Sequence, residues 1–189
     1  MKLLILQLQI PNTQIKPIRF LTLDEIKRLL GAIDDQNIKD MVLMYINTGA
    51  RAREIDKKIF TWSNVDFKTK RINFLGKGNK YRNVPMNEAV LKILKRRKNV
   101  EKREVPFDTE YDYMYRRVKK GYLKAGIKNA GVHTLRKTFG SLLVQNGVNI
   151  YTVSKLMGHG SVTVTEKHYA ELLDENLRSG VQQLDDILM

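Results

Sequence analysis

The sequence has 189 residues, of which 42% are hydrophobic, enough for one globular domain with short arms at its ends. Its 34 Lys and Arg residues outnumber 20 Asp and Glu residues, so the net charge is +14. This excess favours a polyanionic partner such as nucleic acid, although many ribosomal and membrane-surface proteins share it. The lack of cysteine excludes disulfides, thiolate metal sites and a cysteine nucleophile, and without an export signal we expect a cytoplasmic protein.

Residues 1–20 are predicted to form an N-terminal arm or interdomain linker. The opening MKLLILQLQI is apolar, but it is too short to span a bilayer and no small-residue cleavage site follows it. Apolar and polar residues alternate from Leu6 to Ile10, and Pro11 and Pro17 bracket an irregular stretch. This pattern is typical of a strand or arm rather than of a signal peptide.

Two helices are predicted next. The capping box from Thr22 to Glu25 predicts a helix start, and apolar residues then recur every three or four positions as far as Ile33. The segment Asp40–Asn47 is apolar nearly all round, as expected of a buried helix. It ends at a Thr-Gly pair just before a charged run.

A small antiparallel sheet is predicted from Val65–Phe67, Arg71–Leu75 and Tyr81–Pro85, which are short, β-prone and separated by turn residues. The second turn, Gly76–Lys80, has the sequence GKGNK and is predicted to be a flexible hairpin loop that carries two lysines.

Helical periodicity returns in Asn87–Lys98, Asp108–Ala125, Leu135–Asn146 and Ile150–Met157. The final stretch Leu173–Leu188 has one apolar and one acidic face, so it packs on its own domain or docks on a partner. We therefore predict an α+β fold that is mostly helical with a small antiparallel β-sheet.

Four separated segments carry residue types that suggest chemistry. Each residue taken alone has an ordinary explanation, such as a surface arginine, a helix-capping histidine, a turn lysine or a half-buried tyrosine. The segments are Thr48–Ile55 with Arg51, Gly76–Lys80 with Lys77, His133–Arg136, and Gly158–Tyr169 with His159.

Together these residues supply what phosphodiester transfer needs. Arg51 and Arg136 can each hold a phosphate with two parallel N–H bonds and can stabilise the extra charge of a pentacoordinate phosphorus. His133 lies one helical turn from Arg136 and, with His159, can donate hydrogen bonds or move protons. Lys77 is then a candidate general acid and Tyr169 an oxygen nucleophile.

The four segments resemble, in order, the catalytic motifs of the tyrosine recombinase (phage integrase and Xer-type) family. TGARAREI resembles the T-G-x-R-x-x-E-[LI] box and GKGNK the hairpin with the catalytic lysine, while HTLR matches H-x-L-R and LMGH matches L-x-G-H. The resemblance assigns a supporting acid role to Glu54 and names Lys80 as an alternative to Lys77. The catalytic set that it implies is Arg51, Lys77, His133, Arg136, His159 and Tyr169.

Two features depart from the family pattern. The family commonly places the G-H histidine and the nucleophile nine residues apart, whereas His159 and Tyr169 are ten apart, which affects the expected pose of Tyr169. Tyr151 precedes His159 and is a poor rival for the role. Only about 20 residues precede the similar region, where the family usually has a helical DNA clamp, so we expect an excised catalytic domain at residues 21–172 and a C-terminal helix at 173–189.

The resemblance implies strand cutting and rejoining of double-stranded DNA through a 3′-phosphotyrosine, without metal, nucleotide or other cofactor, by four protomers assembled on two duplexes. The C-terminal helix would then dock on a neighbouring protomer. The basic clusters Lys92–Arg103 and Arg116–Lys128 are candidates for backbone contacts. The individual residues predicted to bind DNA are Lys80, Arg82, Lys95, Arg96, Arg97 and Lys137.

Three alternatives remain open on sequence alone. A type IB topoisomerase shares the chemistry but reseals its own strand, and an inactive DNA-binding regulator keeps the fold without catalysis. A basic RNA-binding module would account for the charge but not for the ordered motifs, and no aromatic stacking motif is recognisable.

Overall fold

The computed structural model describes residues 18–76 and 81–170, together with Leu172 and Gln182. The predicted N-terminal strand, Lys77, Lys80 and nearly all of the predicted C-terminal helix lie outside the described residues.

The first two helices begin at side-chain caps. Helix α1 (Leu23–Ala32) starts at Thr22, whose hydroxyl accepts the Glu25 N–H at 3.2 Å while the Glu25 carboxylate accepts the Thr22 N–H at 3.0 Å, which confirms the capping box. Helix α2 (Gln36–Thr48) is buried over most of its length, as predicted, but it begins four residues before the expected Asp40. The earlier start follows from Asp35, whose carboxylate caps the first turn.

The predicted sheet is confirmed. Strands β1 (Val65–Asp66), β2 (Arg71–Leu75) and β3 (Tyr81–Pro85) pair antiparallel in that order. Leu75 pairs with Tyr81 on either side of the hairpin loop. Burial alternates along β3, so the second and fourth side chains point inward and the other three outward.

The remaining helices lie after the sheet. They are α3 (Glu88–Lys95), extended by a π-helical turn (Arg96–Val100), then α4 (Tyr111–Lys124), α5 (Val132–Gln145), α6 (Ile150–Met157) and residues 162–170, which we call α7.

Two further helix starts differ from the prediction. Helix α4 begins three residues after Asp108, because Thr109 accepts a hydrogen bond from Asn37 and Glu110 has an extended backbone. Helix α5 begins three residues before Leu135, so the HTLR segment forms its first turn.

Helix α2 lies at the centre of the fold and packs against α3, α4 and α5. The main core includes residues of all three strands, and a smaller apolar cluster lies between α5, α6 and α7. The predicted mostly helical architecture with a small antiparallel sheet is confirmed. Within the described part of the chain, no helix has both the length and the apolar character needed to cross a membrane.

Candidate active site

The end of α2 delivers Arg51 through a tight turn. Gly49 caps the helix with φ of 59°, and a Cβ atom there would lie 2.4 Å from the Phe139 ring, so both backbone and packing require glycine. Arg51 lies in a turn rather than in a helix, and the Glu54 N–H bonds back to the Arg51 carbonyl at 2.9 Å and closes this turn. The Glu54 carboxylate accepts the backbone N–H and Nη1 of Arg51, each at 2.7 Å.

Arg136 and Arg51 meet at the C-terminal end of α6. Arg136 is 3% exposed and donates from Nη1 to the Gly49 carbonyl and from Nη2 to the Met157 carbonyl at 2.5 Å. Arg51 donates from Nη2 to the Gly158 carbonyl at 2.5 Å. The structure therefore brings together the two arginines predicted to hold a phosphate, and α6 is the element that joins them.

Arg82, which was predicted to bind DNA, lies below these two arginines and not at the surface. Its position in β3 directs the side chain inward, where it is 6% exposed and bonds Glu54 Oε2 at 2.5 Å. It also donates to the carbonyls of Thr48, at 3.2 Å, and Leu156. These contacts direct the Arg82 guanidinium to protein partners rather than to the surface.

Arg97, another residue predicted to bind DNA, is also buried, at 1% exposure. Its guanidinium bonds Asp40 at 3.1 Å and Asn37 at 2.5 Å and lies 4.3 Å from the centre of the Phe107 ring. Arg96 keeps 38% side-chain exposure but pairs with Asp40 and, at 3.1 Å, with Glu101.

Two other described residues that were predicted to bind DNA also remain accessible. Lys95 is exposed at the end of α3. Lys137 is half-buried beside Arg136, and its charge helps to lower the pKa of His133.

Clustered cations dominate the electrostatics of the site. Burial lowers the pKa of Arg136 to about 10, with added repulsion from Arg82 and Arg51. Burial also lowers the pKa of His159 to about 4, with Arg136 and Arg51 contributing, so this imidazole is neutral at pH 7. Such a cluster attracts an anion, because a phosphate would offset the mutual repulsion of the arginines.

The two histidines occupy different positions at the site. His159 follows Gly158, which ends α6 with φ of 64°, and its Nδ1 lies 2.7 Å from the Thr165 hydroxyl of α7. His133 lies in the first turn of α5 and is exposed as a residue. Partial desolvation of its ring lowers its pKa, and the charge of Lys137 adds to this shift.

Tyr169 is on α7 and is turned into the smaller apolar cluster. It is 1% exposed, and its hydroxyl lies 3.5 Å from the Met157 sulfur. Gly140 of α5 makes room for it, because a Cβ atom there would lie 2.1 Å from the phenol oxygen. Burial raises the pKa of Tyr169 to about 12, although the charge of Arg136 opposes the shift.

The structure thus places Arg51, Glu54, Arg136, His159 and Tyr169 around the end of α6, with His133 at the exposed side. Sequence reasoning missed the buried role of Arg82, which the inward register of β3 could have revealed. It also missed the space at Gly140 and the Thr165 partner of His159, for which no local sequence signal exists.

This arrangement can bind a tetrahedral anion with guanidinium and imidazole groups close to a phenol. Such a set fits phosphoryl transfer with a covalent step. Among residues 18–76 and 81–170, no three His, Asp or Glu side chains are grouped so as to ligate a metal ion.

Comparisons with known proteins match this chain to one family and its members. Residues 19–176 match the model of the phage integrase family. Tyrosine recombinase XerC of Caldanaerobacter subterraneus is 29% identical over 94% of this chain and 54% of its own length. Tyrosine recombinase XerA of Saccharolobus solfataricus is 28% identical over 90% of this chain and 58% of its own length.

Solved structures show the same fold. The catalytic domain of bacteriophage HP1 integrase has a TM-score of 0.69 and 28% identity, covering 87% of this chain and 94% of that one. A XerA recombinase crystal structure has a TM-score of 0.69 and 26% identity, covering 89% of this chain and 64% of that one. The chain spans little more than half the length of the first two curated relatives, and matches nearly all of the HP1 domain. Because the family model matches most of its residues, this chain belongs to the phage integrase family.

Proposed function

We propose that this chain is the catalytic domain of a site-specific DNA recombinase that cuts and rejoins strands through a phosphotyrosyl bond at Tyr169. One observation carries the proposal: Arg51 and Arg136 both bond the carbonyls at the end of α6, and the Tyr169 hydroxyl contacts the same turn through Met157. Similarity to XerC and XerA recombinases supports the same activity.

The chemistry is a pair of balanced transesterifications. The Tyr169 oxygen bonds to phosphorus as the bond from phosphorus to the 5′ oxygen breaks. The phenol loses its proton and the 5′ oxygen gains one, leaving a 3′-phosphotyrosine and a free 5′-hydroxyl. A 5′-hydroxyl from a second duplex then attacks the phosphotyrosine, and the tyrosine leaves with a proton.

The proposed roles follow from charge and position. Arg51 and Arg136 hold the non-bridging oxygens, and their charges stabilise the transition state more than the substrate. Neutral His159 donates from Nε2 in the tautomer in which the Thr165 hydroxyl bonds Nδ1. His133 is the second imidazole donor. Lys77, which lies outside the described residues, is the proposed proton donor to the 5′ oxygen.

Attack requires Tyr169 to leave its pocket. Its hydroxyl is buried against a sulfur atom, and Arg51 and Arg136 donate hydrogen bonds to protein carbonyls. The described arrangement is therefore a resting state in this proposal. DNA binding would supply phosphate oxygens in place of those carbonyls.

Surface cations and self-assembly belong to the same proposal. Lys95, Arg96 and Lys137, together with Lys80 outside the described residues, would contact the DNA backbone. Four protomers would assemble on two duplexes, with the segment after residue 172 docking on a neighbour. Mass photometry of the protein with paired duplexes tests this assembly, and complexes that never exceed one protomer per duplex would contradict it.

Covalent trapping tests the proposed reaction. The protein is mixed with a pool of nicked duplexes, from which the cleaved fragment diffuses away, and linked peptides are mapped by mass. We expect a DNA-linked peptide containing Tyr169 that is absent from Tyr169→Phe. An adduct at another tyrosine would refute the assignment, and joining of two sites without net relaxation of supercoils distinguishes a recombinase from a topoisomerase.

A further inference from the structure

Arg82 of β3 connects the Thr48–Ile55 segment with the end of α6 below the proposed phosphate site. Its Nη2 bonds Glu54 at 2.5 Å, and its Nη1 bonds the carbonyls of Thr48, at 3.2 Å, and Leu156. The guanidinium also lies 4.9 Å from the centre of the Phe74 ring. A single planar group with several fixed donors can satisfy partners in three directions, which a lysine ammonium does less well.

Each of these partners lies next to a group that orients a site arginine. The residue after Thr48 accepts a hydrogen bond from Arg136. The two residues after Leu156 accept hydrogen bonds from Arg136 and Arg51. Glu54 binds Arg51 directly, through both backbone and side chain.

The packing around Arg82 is close. A Cβ atom on Gly158 would lie 2.4 Å from the Arg82 Cδ, and Gly158 has φ of 64°, so the turn after α6 closes directly over the arginine. A displacement of Arg82 would therefore be transmitted to the carbonyl that accepts Arg51.

We infer that Arg82 is a positioning residue of the recombination site, which fixes Glu54 and the end of α6 and so sets where Arg51 and Arg136 present their guanidinium groups. The inference rests on the phosphate-binding role proposed for those two arginines. Both terminal nitrogens of Arg82 bond protein partners, Nη2 to Glu54 and Nη1 to the carbonyls of Thr48 and Leu156, so its contacts are those of a positioning residue.

The charge of Arg82 gives this role a measurable signature. Burial alone raises the pKa of Glu54, but the positive charge of Arg82 and hydrogen bonds from Arg51 and Arg82 outweigh it and hold the pKa below its ordinary value. The other groups that face this carboxylate are Arg136 from α5 and the Tyr45 phenol from α2. Without Arg82 the effect of burial gains weight, so Glu54 should take up a proton at higher pH.

The first experiment titrates Glu54 without DNA. Glutamate labelled with 13C at the carboxyl carbon is observed by NMR in the wild-type protein, Arg82→Lys and Arg82→Met. We expect the Glu54 titration to move to higher pH in Arg82→Met and less in Arg82→Lys. An unchanged titration in both variants would overturn the inference, and this result does not depend on any DNA reaction.

The second experiment measures adduct formation against pH on a nicked duplex that the wild-type protein cleaves. We expect Arg82→Met to react about 10²-fold more slowly at neutral pH, since misplaced catalytic groups cost that much. As the pH is lowered, the rate of Arg82→Met should begin to decline at a higher pH than the wild-type rate does, because Glu54 takes up its proton earlier. In Glu54→Gln, the Arg82→Met change should cause no such shift from Glu54, because position 54 cannot ionise.

Arg97→Met is the matched control for a merely structural role. It removes an arginine that is equally buried and ion-paired, but one that bonds Asp40 and not the site. We expect lower stability with an unchanged pH profile, and the Lys variants at both positions serve if a Met variant does not fold. An equal shift of the pH–rate profile in the position-97 variant would overturn the inference. Absence of an adduct in the wild-type protein would instead refute the recombinase proposal. The Glu54 titration would then decide alone whether Arg82 positions Glu54.

Discussion

The arginine cluster, formed by Arg51, Arg82 and Arg136, and the tyrosine pocket, which encloses Tyr169, are two adjoining regions. Different interactions hold them in place. The arginine cluster is fixed by hydrogen bonds and ion pairs that join the end of α2, strand β3, α5 and the end of α6. The tyrosine pocket is fixed by apolar packing of Phe139, Val153 and Met157 around Tyr169. Polar networks with several fixed donors hold a geometry tightly, whereas one hydroxyl against sulfur gives little directional restraint.

This difference suits the proposed reaction. A phosphate site benefits from preorganisation, because donors already in place cost no reorganisation during the reaction. A nucleophile that is sheltered by packing alone can leave its pocket at the cost of exposing limited apolar surface. We therefore expect changes in the arginine cluster to act on rate and changes in the tyrosine pocket to act on stability.

Arg136→Lys should have the largest effect. Lysine keeps the charge but lacks the planar pair of donors that bonds the Gly49 and Met157 carbonyls and would bond phosphate oxygens in their place. Loss of one oriented donor costs about 10²–10³ in rate, or about 3–4 kcal/mol. Adduct formation on a nicked duplex, followed under single-turnover conditions, measures the loss.

The matched control is Arg71→Lys, which changes an exposed arginine on β2 whose partner is Asn83. It should react nearly as fast as the wild-type protein. Equal losses in the two variants would mean that general charge, and not the geometry of Arg136, governs the rate.

Gly140→Ala breaks the tyrosine pocket. The added Cβ would lie 2.1 Å from the Tyr169 oxygen and 2.9 Å from the Met157 sulfur, so the ring must shift or the helices must part. Overpacking of this kind costs about 1–3 kcal/mol. Chemical denaturation should show the loss, and the loss should shrink when Tyr169 is also changed to Ala.

Gly31→Ala provides the comparison, because no atom lies within 4 Å of an added Cβ there and the site is in α1. This change should stabilise the protein by up to about 1 kcal/mol. If Gly140→Ala were equally benign, Tyr169 would not occupy the described pocket.

The sequence predicted the parts of this comparison that depend on local pattern. Strand alternation, the capping box at Thr22 and the glycine after α2 specify elements through contacts of a few residues, and the structure has them. The starts of α2 and α5 were harder to predict from the sequence. The cap at Asp35 and the first turn from Val132 lie before the positions at which the apolar pattern places each helix.

What the sequence could not predict depends on distant contacts. Arg82 and Arg97 look like surface cations in a basic protein. The register of β3 turns Arg82 inward, but the partners that accept the two buried guanidinium groups, Glu54 and Asp40, are distant in sequence. The motifs identified Tyr169 as a residue of interest, but not that Gly140 and Met157 enclose it. That arrangement requires knowing how α5, α6 and α7 pack.

The tyrosine pocket should make the protein sensitive to alkali. The pKa of Tyr169 is about 12 in the folded protein, against an ordinary value near 10, so the unfolded chain loses this proton first as pH rises. The buried neutral phenol therefore contributes its full stabilisation below pH 10, and the contribution is lost by about pH 12. It amounts to about 3 kcal/mol. Denaturation between these pH values should show a shallower decline for Tyr169→Phe, and identical slopes would place the hydroxyl in solvent.

The arginine cluster should make the protein sensitive to acid through His159, with a smaller effect. Its pKa is lowered to about 4 from 6.5, so the unfolded chain binds the proton first as pH falls. Neutral His159 thus contributes its full share of stability above pH 6.5, and that share is lost as pH falls to about 4. Because the ring is only partly buried and solvent screens its neighbours, we expect about 1 kcal/mol.

NMR titration of the His159 ring, together with the stability of His159→Gln between these pH values, measures this effect. A wild-type ring that titrates near 6.5 would mean that the arginine cluster does not repel the added charge. Since Arg82, Arg51 and Arg136 all lower the pKa of this histidine, Arg82→Met should raise it even in the Glu54→Gln background. That rise reports the charge of the cluster separately from the geometry that Glu54 maintains, so the two contributions of Arg82 can be measured apart.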